Sequence, residues 1–422
     1  MNRYKLIGLL LILAISLPAF AQSQDDSLNG LIQQAEKVNP SLAMLQAQLK
    51  AARENIQVGT HLPDPVANLG LMNVPTNSFS LNQEAMTGKV LGVAQAIPFP
   101  GSLKAKAAVK SMDTLIIRQQ IADLVNQIQE QVSELYYNLQ EKRADVGLTK
   151  ESLDLLKQIS VVAKRKFEVK TASLQNVIEV EVQKTRLQDK IETLKGEEST
   201  LQAKLNGFLL RNDSVYIPTE RIVPITHEYV KTDSLLALAK ENRPVLKEIK
   251  LHETKAELMQ KEAKYTFYPN FKVGVQYTQR GFNRVSGADY KDLLGVAVGV
   301  TIPINYGGNK TAKVNRARFQ QDAFSQQYQH SLQVLQQHFG AINSQMSALK
   351  KREKLLTTTL LPQALQSYQA ALADYQVNKI DFVNVMRAED QILKVKTELA
   401  NIRTSYSKNL SKLEFLSGTQ LN

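Results

Sequence analysis

The spacing of apolar residues changes twice along the chain, and both changes follow the same order. In each half, two short segments with an apolar residue at every second position precede a long segment with apolar residues three or four positions apart. The short spacing predicts strands with one apolar face, and the longer spacing predicts amphipathic helices. The predicted strand pairs cover residues 65–98 and 270–304, and the predicted long helices cover residues 102–167 and 310–377.

An Ile-Pro step followed by glycine ends the second predicted strand in each half, at Pro98 and at Pro303. Proline cannot donate to a sheet ladder and glycine frees the backbone to turn, so strand should end and helix should begin here. The two prolines lie about 205 positions apart, which indicates an internal tandem repeat. We therefore predict two repeats, 22–230 and 231–422. Each should contain short helices, a β-hairpin, a long helix and a returning helix, the last at 174–209 and 380–417.

The third predicted strand alternates most clearly. Phe271, Val273, Val275 and Tyr277 share one face, and the residues between them are Lys, Gly, Gln and Thr. This pattern fits a membrane strand with a wet lumen, and it also fits a soluble strand half-buried against a core. Four strands cannot close a membrane barrel, since the smallest have about eight, and an open edge is not tolerated in lipid. Membrane insertion would therefore require several chains to pool their strands.

The long helical segments are unusual in length. The second covers about 68 residues, which corresponds to roughly 100 Å of helix. Its apolar positions between Tyr328 and Leu349 are spaced alternately four and three apart, a period that produces a left-handed supercoil. Pro362 should bend this helix without ending it, because the same period continues beyond it. Helices of this length do not fold into one compact domain, and we expect them to form long staves.

The first 21 residues have the pattern of a signal peptide. Arg3 and Lys5 precede an apolar run at 6–17, and Ala19-Phe20-Ala21 forms a cleavage site. The chain contains no cysteine, so lipoprotein anchoring and disulfide chemistry are not expected. No later segment offers the ~18 continuous apolar residues of a membrane-spanning helix. We expect an exported protein.

Charge and composition fit long solvated helices. The net charge is +12, or +10 without Arg3 and Lys5, and the chain has no tryptophan. Lysine and arginine are interspersed with glutamate and glutamine along the helices, so they indicate solvated faces and not a nucleic-acid site.

No residue pattern predicts catalysis, a cofactor or a metal site. The histidines do not pair with one another or with carboxylates at metal-ligand spacing, and the chain has no glycine-rich phosphate loop. The histidines are His61, His227, His252, His330 and His338. We therefore do not expect an enzyme.

This succession of elements resembles the TolC-type outer-membrane efflux channels over essentially the whole predicted mature chain. The resemblance is most specific at the two turns that join each long helix to its returning helix. In the family an aromatic residue is followed three positions later by glycine, and then by a hydrophobic-x-acidic-Val step. The corresponding residues here are Phe167 to Lys170 with Leu174 to Val177, and Tyr375 to Asn378 with Phe382 to Val385.

The resemblance implies a mainly α protein with membrane β-structure. It implies a homotrimer in which two β-hairpins per protomer form a shared twelve-strand barrel in outer-membrane lipid, above a periplasmic tunnel of helical staves. The tunnel has no ATP site of its own, so a periplasmic adaptor and an inner-membrane resistance-nodulation-division pump would drive transport. Nucleic acid is not an expected partner.

The cargo is the open point of this interpretation. Residues 62–65 and 95–101 resemble the branch that exports heavy metals and cations, which favours metal cations as cargo. The alternatives are multidrug or organic-solute efflux through the same architecture, a soluble periplasmic coiled-coil scaffold, and a diffusion porin. The strand count argues against the porin.

The resemblance also places candidate functional residues at the two turns. The pore-lining gate residues would be Asn176, Glu179, Asn384 and Arg387. The residues that dock the adaptor would be Lys170, Thr171, Ser173, Asn378, Lys379 and Asp381.

Several of these positions depart from the family pattern. Lys170 and Asn378 replace the glycines of the turns, while Asn176, Asn384 and Arg387 stand where acidic residues are frequent. An acidic ring would act as a cation filter. Here Glu179, Glu181, Asp381 or Glu389 would have to supply that charge from shifted positions, or the ring is neutral.

Overall fold

The structure, a computed structural model, describes residues 26–226 and 230–421. The predicted signal peptide at 1–21 and His227 lie outside the described residues. The first half contains α1 (Leu28–Val38), α2 (Pro40–Asn55), β1 (Val66–Met72), β2 (Gly88–Ile97), α3 (Ser102–Glu168) and α4 (Leu174–Phe208). The second contains α5 (Thr232–Asn242), α6 (Pro244–Lys264), β3 (Phe271–Gln279), β4 (Leu293–Val300), α7 (Asn309–Leu355), α8 (Leu361–Gln376) and α9 (Phe382–Ser417). The predicted succession of elements is thus confirmed in both halves.

The strand-to-helix junctions depend on glycine. Gly101 caps α3 with φ +91°, and a Cβ at this position would lie 2.7 Å from the Tyr265 hydroxyl. Gly308 caps α7 with φ +73°. Both values lie in the region that residues with a side chain adopt only at a cost. The predicted turns after Pro98 and Pro303 are confirmed.

Strand β4 is shorter than the predicted segment that ended at residue 304. It ends at Val300, and only Thr301 continues the pairing, through its N–H to the Asn270 carbonyl at 2.8 Å. Pro303 has no N–H to donate, so the chain leaves the sheet before it.

The four strands form one antiparallel sheet in the order β1-β2-β3-β4. The register places Val275 opposite both Val93 and Val296, which puts these apolar side chains on one face. That apolar face also carries Leu69, Leu71, Leu91, Val273, Tyr277, Leu294, Val298 and Val300. The opposite face carries small and polar residues, among them Asn68, Gly92, Ala94, Lys272, Gly274, Gln276, Thr278, Gly295, Ala297 and Gly299.

The apolar face of the sheet is not covered by other parts of the described chain. Leu69 is 82% exposed, Leu294 72% and Val298 68%. A soluble sheet buries its apolar face against a core, whereas a large exposed apolar patch marks contact with lipid or another protein. The exposure favours the membrane interpretation of the alternating strands.

The long helices have the predicted length. Helix α3 alone has 67 residues, about 100 Å at 1.5 Å per residue. Helices α7 and α8 follow one another through a π-helical turn, Leu356–Leu360, in which the Leu361 N–H donates to the Leu356 carbonyl. Pro362 lies directly after this turn, so it is accommodated without ending the helix, as predicted. No helix among the described residues is long and apolar enough to cross a bilayer.

The helices lie side by side in two tiers. Next to the sheet the row is α2–α3–α6–α7, and farther from it the row is α4–α3–α9–α8. Apolar side chains hold neighbouring helices together, as where Phe339 and Met346 of α7 pack with Leu413 and Leu416 of α9. The sheet and the two helix tiers thus form three rows in the described chain. One side of these rows is formed by β1, α2 and α4, respectively. The other side is formed by β4, α7 and α8.

The segment between the two halves is fixed to both long helices. On α3, Arg143 donates to the Ile217 carbonyl and pairs with Glu198 at 2.8 Å. On α7, Glu353 accepts the Ile225 N–H at 3.2 Å. These contacts hold the two halves together at mid-height.

Candidate functional site

The first candidate tip is the turn between α3 and α4. The Thr171 N–H donates to the Lys166 carbonyl at 2.8 Å, and the Lys170 N–H donates to the Phe167 carbonyl at 2.9 Å. This pattern ends a helix with one residue in the left-handed region, and Lys170 occupies it with φ +59°. The backbone therefore adopts the conformation that glycine favours, although the residue is lysine.

The second candidate tip, between α8 and α9, is built in the same way. The Lys379 N–H donates to the Asp374 carbonyl at 2.9 Å, and Asn378 has φ +67°. Asparagine tolerates this region better than other residues with a side chain, because its amide can bond locally. The two tips thus share one backbone conformation, with lysine in one tip and asparagine in the other at the left-handed position.

Lys166 joins the first tip to the second. Its ammonium donates to the Tyr375 carbonyl at 2.5 Å, to the Gln376 carbonyl at 3.0 Å and to the Asn378 side-chain oxygen at 2.6 Å. It also lies 4.6 Å from the centre of the Tyr375 ring. A cation at a helix C-terminus satisfies carbonyls that have no partner within the helix. The last turn of α3 therefore caps α8.

A cavity of about 370 Å³ lies between the two tips. It is lined by Thr171, Ala172, Asn176, Tyr375, Asn378, Lys379, Ile380, Asp381 and Asn384. The structure therefore brings six of the predicted gate and docking residues together around one cleft. Its two charged side chains, Lys379 and Asp381, have opposite signs.

Tyr375 forms the buried wall of this cleft. It is 3% exposed, and its ring packs edge-on against Phe382 with centroids 5.4 Å apart. Burial raises the pKa of Tyr375, and its hydroxyl has no hydrogen-bond partner among the described residues. The phenol is therefore neutral at physiological pH and adds no charge to the cleft.

The remaining predicted residues lie outside the cleft. Lys170 and Ser173 are exposed at the first turn, while Glu179 and Arg387 are exposed on the returning helices. The cleft therefore does not bring the two predicted gate charges, Glu179 and Arg387, together.

Two glutamates considered as substitutes for an acidic ring are engaged within the helix layer. Glu181 pairs with Lys184 at 2.8 Å and accepts from Ser160 at 2.9 Å, and these contacts lower the pKa of Glu181 to about 2. Glu389 is 3% exposed and accepts from Ser152, and burial raises the pKa of this carboxyl. A side chain buried between α3 and α9 is not available to a pore, so the expectation for Glu389 is corrected.

The sequence interpretation missed Lys166 and the Ser152–Glu389 pair. A lysine in the last helical turn is a common capping signal, yet its partner lies more than 200 positions away. Within residues 26–226 and 230–421, no group of three or more His, Cys, Asp or Glu side chains could hold a metal ion.

Residues 235–419 match the profile of the family described as outer membrane efflux protein. This region runs from α5 to the end of α9 and includes the second tip. Residues 235–419 belong to the outer membrane efflux protein family.

Solved structures show that the outer membrane efflux protein fold extends over the first half as well. VceC of Vibrio cholerae superposes with a TM-score of 0.76 at 16% identity, over 94% of this chain and 97% of VceC. CusC superposes with a TM-score of 0.77 at 16% identity, over 94% of this chain and 92% of CusC. The open state of MtrE of Neisseria gonorrhoeae superposes with a TM-score of 0.72 at 14% identity, over 94% of this chain and 89% of MtrE. At these sequence identities, the likeness to the solved structures establishes the fold. A search of curated proteins found no match to the chain.

Outer membrane efflux proteins are channels and not enzymes, in line with the sequence-based expectation. The second half of the chain thus matches the outer membrane efflux protein family, and nearly the whole chain shares the fold of the solved outer-membrane channels. The helix tips lie at the end of this fold that is farthest from the sheet.

Proposed function

We propose that three copies of this chain close into a ring that serves as the exit duct of a tripartite efflux system. The matching edges of the sheet and of both helix tiers support the proposal most directly. In each row the element at one side comes from the first half and the element at the other side comes from the second. A closed ring pairs β4 with the next copy's β1, α7 with its α2, and α8 with its α4.

Closure would remove the exposed strand edges, which lipid does not tolerate. Three copies supply twelve strands, enough for a membrane barrel with a lumen. In this arrangement the apolar face of the sheet contacts outer-membrane lipid and the small, polar face lines the lumen. Phe99, Tyr265 and Tyr268 cluster where sheet and helices meet, with Phe99 and Tyr268 stacked at 4.5 Å, as in an aromatic girdle.

The staves would project into the periplasm, with the tips at the far end. The predicted signal peptide would direct the chain to this compartment, and the absence of cysteine agrees with a protein that is not a lipoprotein. We propose that the tips dock a periplasmic adaptor through Lys170, Thr171, Ser173, Asn378, Lys379 and Asp381. An inner-membrane pump of the resistance-nodulation-division class would supply the energy.

We propose that the narrowest point lies just inside the tips, lined by Asn176, Glu179, Asn384 and Arg387. The cleft at the tips, which includes Asn176 and Asn384, supports this placement. Arg387→Ala should shift the ion selectivity of the open pore toward cations and leave the trimer intact. A trimer lost together with unchanged selectivity would make Arg387 a packing residue.

The cargo divides the proposal into two candidates. Residues 62–65 and 95–101 favour metal cations, while multidrug or organic-solute efflux uses the same architecture. A deletion strain exposed to a panel of metals and organic toxicants separates them. Unchanged resistance to every metal, with lost resistance to organic compounds, would exclude metal export.

Membrane fractionation tests the duct itself against a soluble periplasmic scaffold. The exposed apolar face of the sheet supports a protein that requires detergent for extraction and then runs as a trimer. A chain that remains soluble without detergent would be a scaffold, and the proposed duct would be wrong.

A further inference from the structure

We infer that the open duct prefers anions to cations, which argues against the metal-cation candidate for its cargo and favours the organic-solute candidate. This inference rests on the proposed duct, because it needs the small, polar face of the sheet to line a lumen. The deciding observation is that Lys272 is the only charged residue on that face in the four described strands.

Small neighbours surround Lys272 within the sheet, and the exposed carboxylate of Asp64, two residues before β1, lies at the same end of the sheet. The neighbours of Lys272 across the sheet are Ala96 on β2 and Gly299 on β4, which are too small to cover the ammonium. The side chain is exposed and forms no ion pair within the described part of the chain. As the second residue of β3, it lies at the end of the sheet that joins the helices.

The helices directly below continue the same sign. The first three turns of α3, residues 102–112, and of α7, residues 309–321, contain cations and no carboxylate. Their cations are Lys104, Lys106, Lys110, Lys310, Lys313, Arg316 and Arg318. The first carboxylate of each helix comes later, at Asp113 and Asp322, and Asp113 is already paired with Lys255.

Only two of these seven cations have local partners. Lys110 donates to the end of α2, at the Asn55 and Val58 carbonyls, and Lys310 lies over the Phe267 ring. The other five form no ion pair or hydrogen bond within residues 26–226 and 230–421. The starts of α3 and α7, where sheet and helices meet, therefore carry an excess of positive charge, while the neighbouring end of α6 carries both signs.

A ring of like charges in a narrow aqueous pore acts as a selectivity filter. In a trimer Lys272 occurs three times around the lumen, and the low-dielectric membrane wall concentrates its field. Screening acts over about 8 Å at physiological ionic strength, so solutes close to the wall feel the charge. At the tip, the proposed gate carries Glu179 and Arg387, whose charges have opposite signs, beside the amides of Asn176 and Asn384, so it adds no net cation filter. Free divalent cations are thus disfavoured where the lumen passes Lys272.

The test is the reversal potential of the purified full-length protein in a planar bilayer under a potassium chloride gradient. The reversal potential of the wild-type pore should lie closer to the equilibrium potential of chloride than to that of potassium. Lys272→Gln should lower the chloride-to-potassium permeability ratio several-fold, and Lys272→Glu should make the pore prefer potassium. Lys89→Gln is the matched control, because it removes the same charge from the apolar face of the neighbouring strand β2 and should leave the ratio unchanged.

A wild-type pore that prefers potassium would overturn the inference and leave the duct standing. A chloride preference that Lys272→Gln does not change would overturn the role of Lys272. A protein that forms no channel and is monomeric in detergent would instead contradict the proposed duct.

Discussion

A single lysine connects the two tips of the chain. Lys166 is the only side chain at the end of α3 described here that donates to both the backbone and the side chain of the second tip. The Tyr375 carbonyl also accepts the Asn378 N–H at 3.1 Å, so the loss of Lys166 would mainly affect the Gln376 carbonyl and the Asn378 side-chain oxygen. The closed arrangement of the tips should therefore depend on Lys166.

Lys166→Ala should destabilise the contact between the tips by about 1.5–3 kcal/mol, the range for hydrogen bonds to a charged donor. In planar bilayers the variant should open more often than the wild type. Lys157→Ala is the control, since Lys157 pairs with Asp154 on the same exposed helix face at 2.7 Å and does not contact the second tip. Equal opening frequencies for Lys166→Ala and wild type would show that the contact does not hold the tips.

The left-handed turn residues differ in how well they fit their backbone. A residue with a Cβ in this region costs about 1–2 kcal/mol relative to glycine, with asparagine less affected. Lys170→Gly should therefore raise the thermal unfolding temperature, and Asn378→Gly should raise it less. A drop in the unfolding temperature of Lys170→Gly would mean that the lysine side chain contributes stability absent from this structure.

At the scale of elements, the contact between α3 and α9 differs from the other helix contacts. It contains buried polar groups: Glu389 accepts from Ser152, and Glu141 accepts from Thr404 at 2.9 Å and Asn401 at 3.0 Å. Aliphatic side chains such as Leu156 and Leu187 pack between α3 and α4, and the polar pairs there, such as Arg143–Glu198 at 2.8 Å, are only partly buried. The contact between the two halves at α3 and α9 thus differs in the burial of its hydrogen-bonded polar groups.

The buried carboxyl of Glu389 should make stability depend on pH. Burial raises its pKa in the folded state, so the folded chain holds the proton over a pH range in which the unfolded chain has released it. Its contribution is therefore complete below the unfolded pKa of about 4.5 and is lost as pH rises through the folded pKa. Glu181, whose pKa is lowered to about 2, acts in the opposite direction: its contribution is present above about 4.5 and is lost toward pH 2.

Glu389→Gln should increase stability at pH 7 by on the order of 1 kcal/mol, because the neutral amide can still accept from Ser152. The difference from wild type should vanish below pH 4. Glu192→Gln serves as the control, since Glu192 is exposed, pairs with Lys195 at 2.6 Å and is not among the charges that shift the pKa of Glu389. Thermal unfolding measured across this pH range tests the raised pKa assigned to Glu389. A Glu389→Gln variant that is less stable than wild type at neutral pH would refute that assignment.

Local patterns predicted most of the elements but few of the contacts between them. The alternation at Phe271 to Tyr277 and the heptads around Phe339 defined strand and helix, because one residue period corresponds to one geometry. The π-turn before Pro362 and the end of β4 at Val300 depend on backbone hydrogen bonds that spacing does not reveal. Lys166 and Glu389 bond to residues more than 200 positions away, so their roles appear only once the helices are packed.

At the scale of the molecule, the two sides of the chain fit the proposed ring. All three rows of the chain, the sheet and the two helix tiers, end in first-half elements on one side and second-half elements on the other. This common order lets one rotation bring every row into register with the next copy, which is the geometry of a closed cyclic oligomer. The two tips would then alternate around the periplasmic end.

Cysteine crosslinking across the sheet edges tests this ring most directly, since the chain has no cysteine of its own. Single cysteines introduced in β1, at positions 67–71, would be paired with single cysteines in β4, at positions 294–298. Pairs in register between copies should give a crosslinked ladder that reaches three chains and stops there. A ladder that stops at one or two chains, or continues beyond three, would contradict the closed trimer.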